Sequence, residues 1–297
     1  MSEATQEQWT IKRLLDWTSE YFQKSEGNTS PRLDAEILLA EALGCPRIML
    51  YTRFDEVPEE EKLARFRAWV KRRGAGEPVA YIVGYREFYS LRFEVNSSVL
   101  IPRPETEHVV VAVLEAVKSV GGNPIRIIDV GTGSGCIAIT LAKQIGDAQI
   151  AATDISEEAI AVANSNAIEH RVDDRIRFFQ GDLLQALPAG SQPVHIICSN
   201  PPYIGTSEVG TMDGQVKDHE PNLALFSGDT GLDATTRLID SAPEFLLPGG
   251  YLIFESSPFI IQQAKELVIQ NAAFDSVEIE KDFAGHERIV MARKQDT

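Results

Sequence analysis

The chain has 297 residues, is 43% hydrophobic and carries a formal net charge of -16. This length predicts one large domain and one smaller domain, and no apolar run reaches the roughly 18 residues that span a bilayer. The negative net charge argues against nonspecific nucleic-acid binding, which requires a cationic surface.

Targeting and metal-binding signals are missing from the sequence. The stretch from Met1 to Thr5 lacks the basic and apolar regions of a signal peptide. The three cysteines, Cys45, Cys136 and Cys198, are far apart, and neither they nor the histidines show metal-ligand spacing. We therefore expect a cytoplasmic protein with reduced thiols, no metal site, no membrane partner and no direct nucleic-acid partner.

The N-terminal quarter of the chain is typical of a helical domain. Apolar residues recur at helical spacing over residues 8–24. A second helix is predicted from Pro31, with Gly44 just past its end, and a third begins near Pro58. We predict a small helical domain over residues 1–74 that recognises the substrate.

A linker is predicted over residues 75–104. Partial alternation over residues 88–95 indicates a β-hairpin. The segment that follows is bracketed by Pro102 and Pro104 and contains one arginine, Arg103; Pro104 can begin a helix with acidic residues in its first turn. A linker that ends in a helix cap is one interpretation. The segment is stiffer than a linker requires, but physical grounds alone do not identify it as a site.

Strands and helices alternate through the rest of the chain, residues 105–297. Strands are predicted at residues 125–130, 149–154, 176–180, 194–199, 251–255, 276–280 and 288–291. Helices are predicted at residues 136–143, 157–169 and 229–246, and from Pro258 onward. This α/β alternation predicts a doubly wound, mostly parallel, seven-stranded Rossmann-like sheet.

The fourth predicted strand is followed by Asn200-Pro201-Pro202-Tyr203. Two prolines cannot continue a central strand, so the strand ends at its carboxyl edge with an amide and an aromatic ring. The Asn200 side-chain oxygen and the Pro201 carbonyl can both accept hydrogen bonds from one NH2 group, on which the Tyr203 ring can stack. The alternative is a rigid turn in which Asn200 is a cap.

A glycine loop, Gly131-Thr132-Gly133-Ser134-Gly135, follows the first predicted strand. A dinucleotide fingerprint would require its third glycine at position 136, where the chain has Cys136. The loop therefore allows close approach of a ligand that need not carry a pyrophosphate.

Three acidic residues lie at the predicted carboxyl ends of strands, where doubly wound sheets bind ligands. Asp154 can accept hydrogen bonds from a ribose, Asp182 can reach an adenine amino group, and Asp129 can face a ligand ammonium. Each alone could be a cap or a solvated residue, but together they favour a site. Because the first and fourth strands are neighbours in such a sheet, the glycine loop and the Asn-Pro-Pro-Tyr turn should face one crevice.

These motifs resemble those of the release factor glutamine methyltransferase family. The matching stretches are Gly76-Glu77-Pro78, Arg86-Glu87-Phe88, Ile101-Pro102-Arg103-Pro104-Glu105-Thr106-Glu107, residues 129–135, residues 199–204, Glu220-Pro221, Pro248-Gly249-Gly250 and Ala284-Gly285-x-Glu287-Arg288. Asn-Pro-Pro-Tyr alone is shared with adenine amino-group methyltransferases, whereas the Pro-Arg-Pro-x-Thr-Glu segment is more specific. The chain departs from the family pattern at Glu255-Ser256-Ser257, where a glycine often follows the acid.

The resemblance implies a seven-stranded methyltransferase sheet, S-adenosyl-L-methionine as cofactor, and methyl transfer to a glutamine of peptide chain release factors. With the motif analysis it gives the cofactor-binding residues Asp129, Gly131, Thr132, Gly133, Ser134, Gly135, Asp154, Asp182, Leu183 and Asn200. The predicted catalytic residues are Asn200, Pro201 and Tyr203, which together with Pro202 should hold the target glutamine. A monomer is expected.

Three other functions are compatible with parts of the sequence. A DNA or RNA adenine methyltransferase would use the same Asn-Pro-Pro-Tyr turn. A nicotinamide dehydrogenase is disfavoured by Cys136. A noncatalytic cofactor-binding or adaptor module would not need acceptors aimed at a transferable group, and the intact turn argues against it.

Overall fold

The computed structural model describes residues 8–24, 30–207 and 214–296. The helices are α1 (Ile11–Gln23), α2 (Pro31–Leu43), α3 (Arg47–Thr52), α4 (Glu60–Gly74), α5 (Val79–Val83), α6 (Glu107–Val120), α7 (Cys136–Gln144), α8 (Glu157–Glu169), α9 (Gly214–His219), α10 (Asn222–Leu225), α11 (Asp233–Phe245) and α12 (Ile261–Gln270). The strands are β1 (Tyr85–Phe88), β2 (Leu91–Glu94), β3 (Arg126–Val130), β4 (Gln149–Asp154), β5 (Ile176–Gln180), β6 (Val194–Ser199), β7 (Leu246–Glu255), β8 (Phe274–Lys281) and β9 (Glu287–Lys294).

The chain divides into two compact units between Gly84 and Tyr85. The first unit contains α1 to α5 together with α9. Helices α1, α2 and α4 lie where the sequence predicts helices, and their buried apolar faces share one core that includes Leu15, Leu38 and Phe66. The first unit extends past the predicted boundary at residue 74 because α5 packs against α2 and α4.

The second unit contains the β1–β2 hairpin and a seven-stranded sheet of order β5-β4-β3-β6-β7-β9-β8. Strands β3 to β7 are parallel, and β9 runs antiparallel to both of its neighbours. Successive side chains of a strand point to opposite faces, so Ile127 packs with α6 and α7 on one face while Ile128 packs with α11 and α12 on the other. The predicted doubly wound, mostly parallel sheet is confirmed.

The structure differs from the predicted elements in the last third of the chain. Strand β7 already begins at Leu246, where it pairs with Val194, and a register shift in the β6–β7 pairing accommodates Pro248-Gly249-Gly250. Helix α12 begins at Ile261 because a hydrogen-bonded turn, in which the Ser257 carbonyl accepts from the Ile260 and Ile261 amides, precedes it. Residues 204–226, for which the sequence predicts no helix or strand, contain α9 and α10; residues 208–213 lie outside the described part. None of the described helices combines the length and apolarity that crossing a membrane requires.

One side chain of α8, Asn166, connects the β1–β2 hairpin to the glycine loop. Its Oδ1 accepts from the Glu94 amide at 2.8 Å, and its Nδ2 donates to the Glu94 carbonyl at 3.0 Å and to the Ser134 carbonyl at 2.8 Å. Asn166 is buried, so these backbone groups have little access to water. The Asn166 side chain therefore supplies hydrogen-bond partners to backbone groups of two separate segments, the hairpin at Glu94 and the glycine loop at Ser134.

We expect Asn166→Ala to lower the free energy of unfolding by about 2–3 kcal/mol, because it leaves buried backbone groups unsatisfied. Asn164→Ala is the matched control: it is exposed on the same helix, so it changes helix propensity equally and removes no such contacts. Urea denaturation of the full chain measures both variants. Equal stability of the two would contradict this role for Asn166.

Candidate active site

A cavity of about 530 Å³ lies in the second unit, at the carboxyl ends of the parallel strands. Its walls come from the glycine loop after β3, the acids that follow β4 and β5, the turn after β6, and two further segments within residues 98–106 and 221–237. Because β3 and β6 are neighbours in the sheet, the glycine loop and the turn face the same cavity, as the sequence predicts.

The glycine loop is held against β4 by its own backbone. The Gly131 and Thr132 amides both donate to the Thr153 carbonyl at 2.9 Å. Gly133 has φ of 57°, and a Cβ there would meet no atom within 4 Å, so this residue leaves the cavity wall open. At Gly135, by contrast, a Cβ would lie 2.9 Å from Ile139 Cδ1 and 3.2 Å from Ala163 Cβ. Gly135 thus allows α7 to pack closely against α8 and does not line the cavity.

Asp154 lies at the end of β4 and lines the cavity. Its Oδ2 accepts from the Gly133 amide at 2.8 Å and its Oδ1 from the Ser156 amide at 3.0 Å. Burial raises the pKa of this carboxyl, and the two amides oppose that shift. Each carboxylate oxygen keeps a second lone pair, so Asp154 can still accept hydrogen bonds from ligand hydroxyls.

Asp129 does not face the cavity, contrary to the prediction that it meets a ligand ammonium. It is 0% exposed, and its Oδ2 accepts from Thr132 Oγ1 at 2.7 Å and from the Ala138 amide at 3.2 Å. Burial raises its pKa to about 6. The reason is its position inside β3 rather than after it, which directs the side chain under the glycine loop, where it positions Thr132.

Asp182 and Leu183 line the cavity beyond the end of β5. The Asp182 carboxylate forms an ion pair with Arg237 of α11, and both side chains are partly exposed. Leu183 has φ of 47°, a conformation that is rare for residues other than glycine and that is concentrated at functional sites.

The turn after β6 is fixed by side chains at both of its ends. Ser199 Oγ donates to the Val130 carbonyl at 2.7 Å, which joins the ends of β6 and β3. Asn200 Nδ2 donates to Thr106 Oγ1 at 3.0 Å. Tyr203 donates its hydroxyl to Glu255 Oε1 at 3.3 Å, and burial raises the pKa of this phenol, which therefore stays neutral.

Four predicted site residues are not part of the cavity wall. The wall includes Gly131, Thr132, Gly133, Ser134, Asp154, Asp182, Leu183, Asn200 and Pro202. Outside it are Asp129, Gly135, Pro201 and Tyr203. The binding and catalytic roles of all these residues remain predictions.

Several residues that shape the site have no predicted role in the sequence motifs. Thr106 and Arg103 line the cavity, and Arg103 pairs at 2.6 Å with Glu220, whose side chain is buried. Glu255, at the end of β7, accepts from Thr106 Oγ1 at 2.7 Å. The available signal was the proline-bracketed segment that contains Arg103 and Thr106, which is stiffer than a linker requires.

Comparison with solved structures shows the class of protein to which this fold belongs. A methyltransferase from Pyrococcus furiosus superposes with a TM-score of 0.51 at 18% identity, covering 78% of this chain and 98% of that one. The hMettl16 catalytic domain in complex with an RNA hairpin superposes with a TM-score of 0.56 at 15% identity, covering 80% of this chain and 83% of that one. The second unit therefore has a methyltransferase fold. In agreement, a family described as methyltransferase small domain matches residues 110–215.

The family follows from closer relatives. The release factor glutamine methyltransferase of Rhodopirellula baltica is 46% identical over 96% of this chain and 97% of its own length. The enzymes of the same name from Koribacter versatilis and Bacillus subtilis are 40% and 37% identical, over 96% and 95% of this chain and 99% and 97% of their own lengths. A family described as PrmC N-terminal domain matches residues 13–84. The chain belongs to the release factor glutamine methyltransferase family, and the resemblance stated above is confirmed.

The buried Asp129 carboxyl should make stability depend on pH. Because burial raises its pKa to about 6 in the folded protein, against an ordinary value near 3.9, folding favours the protonated form. Its contribution to stability is therefore complete below about pH 4 and is lost as the pH rises through about 6. Asp129→Asn removes this loss while its side-chain oxygen can keep both hydrogen bonds.

We expect the stability of the Asp129→Asn variant relative to the parent to rise by about 3 kcal/mol between about pH 4 and about pH 8. Denaturation at a series of pH values measures the difference directly. Asp147→Asn, at an exposed position before β4, should change the free energy of unfolding by less than about 0.5 kcal/mol throughout. A gain for Asp129→Asn that does not vary with pH would contradict the assignment.

Proposed function

We propose that this chain transfers a methyl group from S-adenosyl-L-methionine to the side-chain amide nitrogen of a glutamine in a peptide chain release factor. The observation that carries the proposal is the convergence of the glycine loop, Asp154 and the Asn200 turn on one cavity. Family membership supports it, because the relatives that cover nearly the whole chain are named for this activity.

The residues present fit the cofactor. Gly133 has no side chain, so its backbone leaves room for a ligand next to the Asp154 carboxylate. Both residues line a cavity that is large enough for a ligand of this class. Asp154 would hold the ribose hydroxyls, and the glycine loop would bring its backbone close to the rest of the ligand. When bound, the cofactor supplies a methyl group already activated by its sulfonium, so this chain needs no nucleophile of its own.

The turn after β6 would bind the glutamine side chain that accepts the methyl group. An amide nitrogen is a poor nucleophile because its lone pair is delocalised. The Asn200 side-chain oxygen and the Pro201 carbonyl would accept from the glutamine NH2, raise electron density on nitrogen and stabilise the positive charge that develops there. Holding the reacting groups in line can supply about 7–11 kcal/mol. The neutral Tyr203 ring would stack on the acceptor plane.

A protein substrate agrees with the charge and the surface of the chain better than a nucleic acid does. A net charge of -16 leaves few cations for phosphate contacts. In the first unit, Trp17 and Tyr21 of α1 are exposed and stacked, with ring centroids 5.3 Å apart, and aromatic residues are enriched in protein interfaces. We assign residues 1–74 to substrate recognition, and the protein to the cytoplasm as a monomer.

The first test is cofactor binding. Calorimetry of the full chain should detect S-adenosyl-L-methionine binding and no NAD binding. We expect Asp154→Ala to weaken cofactor binding by about 1–3 kcal/mol through loss of charge-assisted hydrogen bonds. Asp147→Ala, at an exposed position before β4, is the control and should leave the affinity unchanged. Tight binding of NAD would overturn the assignment.

The second test is the identity of the acceptor. Labelled cofactor is offered with release factor, its Gln→Asn variant, free glutamine or duplex DNA. Label should appear only on unaltered release factor, and Asn200→Ala should slow the transfer by about 10²–10³-fold while the fold survives. Tyr203→Phe should retain much of the activity, because the ring remains. Transfer to DNA would favour the adenine methyltransferase, and undiminished label on the Gln→Asn variant would exclude the proposed target.

A further inference from the structure

Thr106 lies between the side chain proposed to hold the acceptor and a buried carboxylate. Its Oγ1 is 3.0 Å from Asn200 Nδ2 on one side and 2.7 Å from Glu255 Oε2 on the other. Thr106 is 2% exposed and Glu255 is 1% exposed. The other carboxylate oxygen of Glu255 accepts from the Tyr203 hydroxyl at 3.3 Å. Four side chains from three separate segments thus form one connected hydrogen-bond network.

The chemistry of these groups gives the network a direction. A carboxylate can only accept, and a hydroxyl has one proton to donate. Because the Thr106 hydroxyl donates its one hydrogen bond to Glu255, the Thr106 oxygen can only accept a further one. The group of Asn200 that faces Thr106 must therefore be the donor, which is the NH2 group. Each oxygen of Glu255 accepts from one hydroxyl, and this arrangement matches an ionised carboxylate, which has two acceptor oxygens and no proton. Burial raises the pKa of Glu255, and the hydrogen bond from Thr106 and the charge of Arg288 oppose that rise.

The orientation of the Asn200 amide follows from this direction. With Nδ2 bonded to Thr106, the oxygen Oδ1 lies on the other edge of the planar amide group and points away from Thr106. Within the described part of the chain, the Asn200 side chain makes no other hydrogen bond, so Oδ1 remains available, and the residue lines the cavity. The reversed amide would present NH2 to the NH2 of a glutamine, and neither group can accept.

We propose that Thr106 and Glu255 are positioning residues that hold the Asn200 amide with its oxygen, and not its nitrogen, toward the methyl-accepting amide. This inference rests on the proposed function and adds two residues, from outside the Asn-Pro-Pro-Tyr turn, on which methyl transfer depends. Neither residue touches the reacting atoms; both act through Asn200.

Two substitutions test the direction of the network. Thr106→Val keeps the shape of the side chain and removes the hydroxyl, so the amide loses its anchor. Glu255→Gln keeps the volume, but the new NH2 group can donate to Thr106, which frees the threonine proton to donate to Asn200 Oδ1 and turns the amide around. Thr106→Ser retains the hydroxyl and serves as the conservative variant.

The experiment measures kcat and KM with release factor, cofactor affinity by calorimetry, and melting temperature, all on the full chain. We expect Thr106→Val and Glu255→Gln to lower kcat by about 10–100-fold, which is less than the loss expected on removing a preorganised group itself. Cofactor affinity should change by less than about threefold. Thr106→Ser should recover activity to within about threefold of the parent. Thr140→Val, a buried threonine on α7 whose hydroxyl has no partner among the described residues, is the control and should leave kcat unchanged.

A double-mutant cycle separates positioning from general structural damage. In an Asn200→Ala background, Thr106→Val should have little further effect on kcat, because the group it orients is gone. If Thr106→Val loses stability, Glu255→Gln in the same cycle carries the test. Additive losses in the cycle, or parent-like kcat in both single variants, would overturn the inference. Failure of the parent enzyme to methylate release factor would instead overturn the proposed function.

Discussion

The site depends on one pairing in the sheet, that of β3 with β6. Their register aligns Val130 with Ser199, and the Ser199 hydroxyl donates to the Val130 carbonyl at 2.7 Å. The residues that follow, Gly131 and Asn200, are therefore at the same height above the sheet, and a Cβ on Gly131 would lie 4.0 Å from the Asn200 carbonyl. The glycine loop and the turn after β6, nearly 70 residues apart in sequence, become neighbours because the strand order reverses at this point.

Two buried carboxylates support the two halves of the cavity in the same way. Asp129 accepts from the hydroxyl of Thr132 at 2.7 Å, and Glu255 accepts from the hydroxyl of Thr106 at 2.7 Å. Burial raises the pKa of both acids, which means that the fold loses stability by keeping them ionised. In return, each acid fixes the direction of a hydroxyl in the cavity wall. Such networks are expected to make a site rigid when every member has its partner.

The sequence predicted the parts of the site that follow from strand ends. Asp154 and Asn200 were found because each lies where an apolar run stops, and parallel strands place such residues at one edge. Asp129 was misplaced for a related reason: it lies one residue inside its strand, where alternation directs it into the core. The contacts of Thr106, Glu255 and Asn166 could not be predicted, since the bonded residues lie 94, 149 and 72 residues apart in the chain and no local pattern specifies which segments meet.

The turn after β6 does not by itself decide which amide or amine is methylated. The two acceptors proposed for Asn-Pro-Pro-Tyr would suit any planar NH2 group, which is why the sequence alone leaves an adenine amino group as an alternative. The walls around the turn are more specific. Pro102 and Arg103 line the cavity, and Arg103 pairs with the buried Glu220, which fixes the start of the segment that includes Leu223 and Phe226. Glu220 is buried in this ion pair and the Arg103 side chain is 31% exposed. Such a pair gives little net stability, and we expect its role to be in setting the positions of the two wall segments. We therefore expect these walls, rather than the turn, to discriminate between a glutamine in a protein loop and a flipped base.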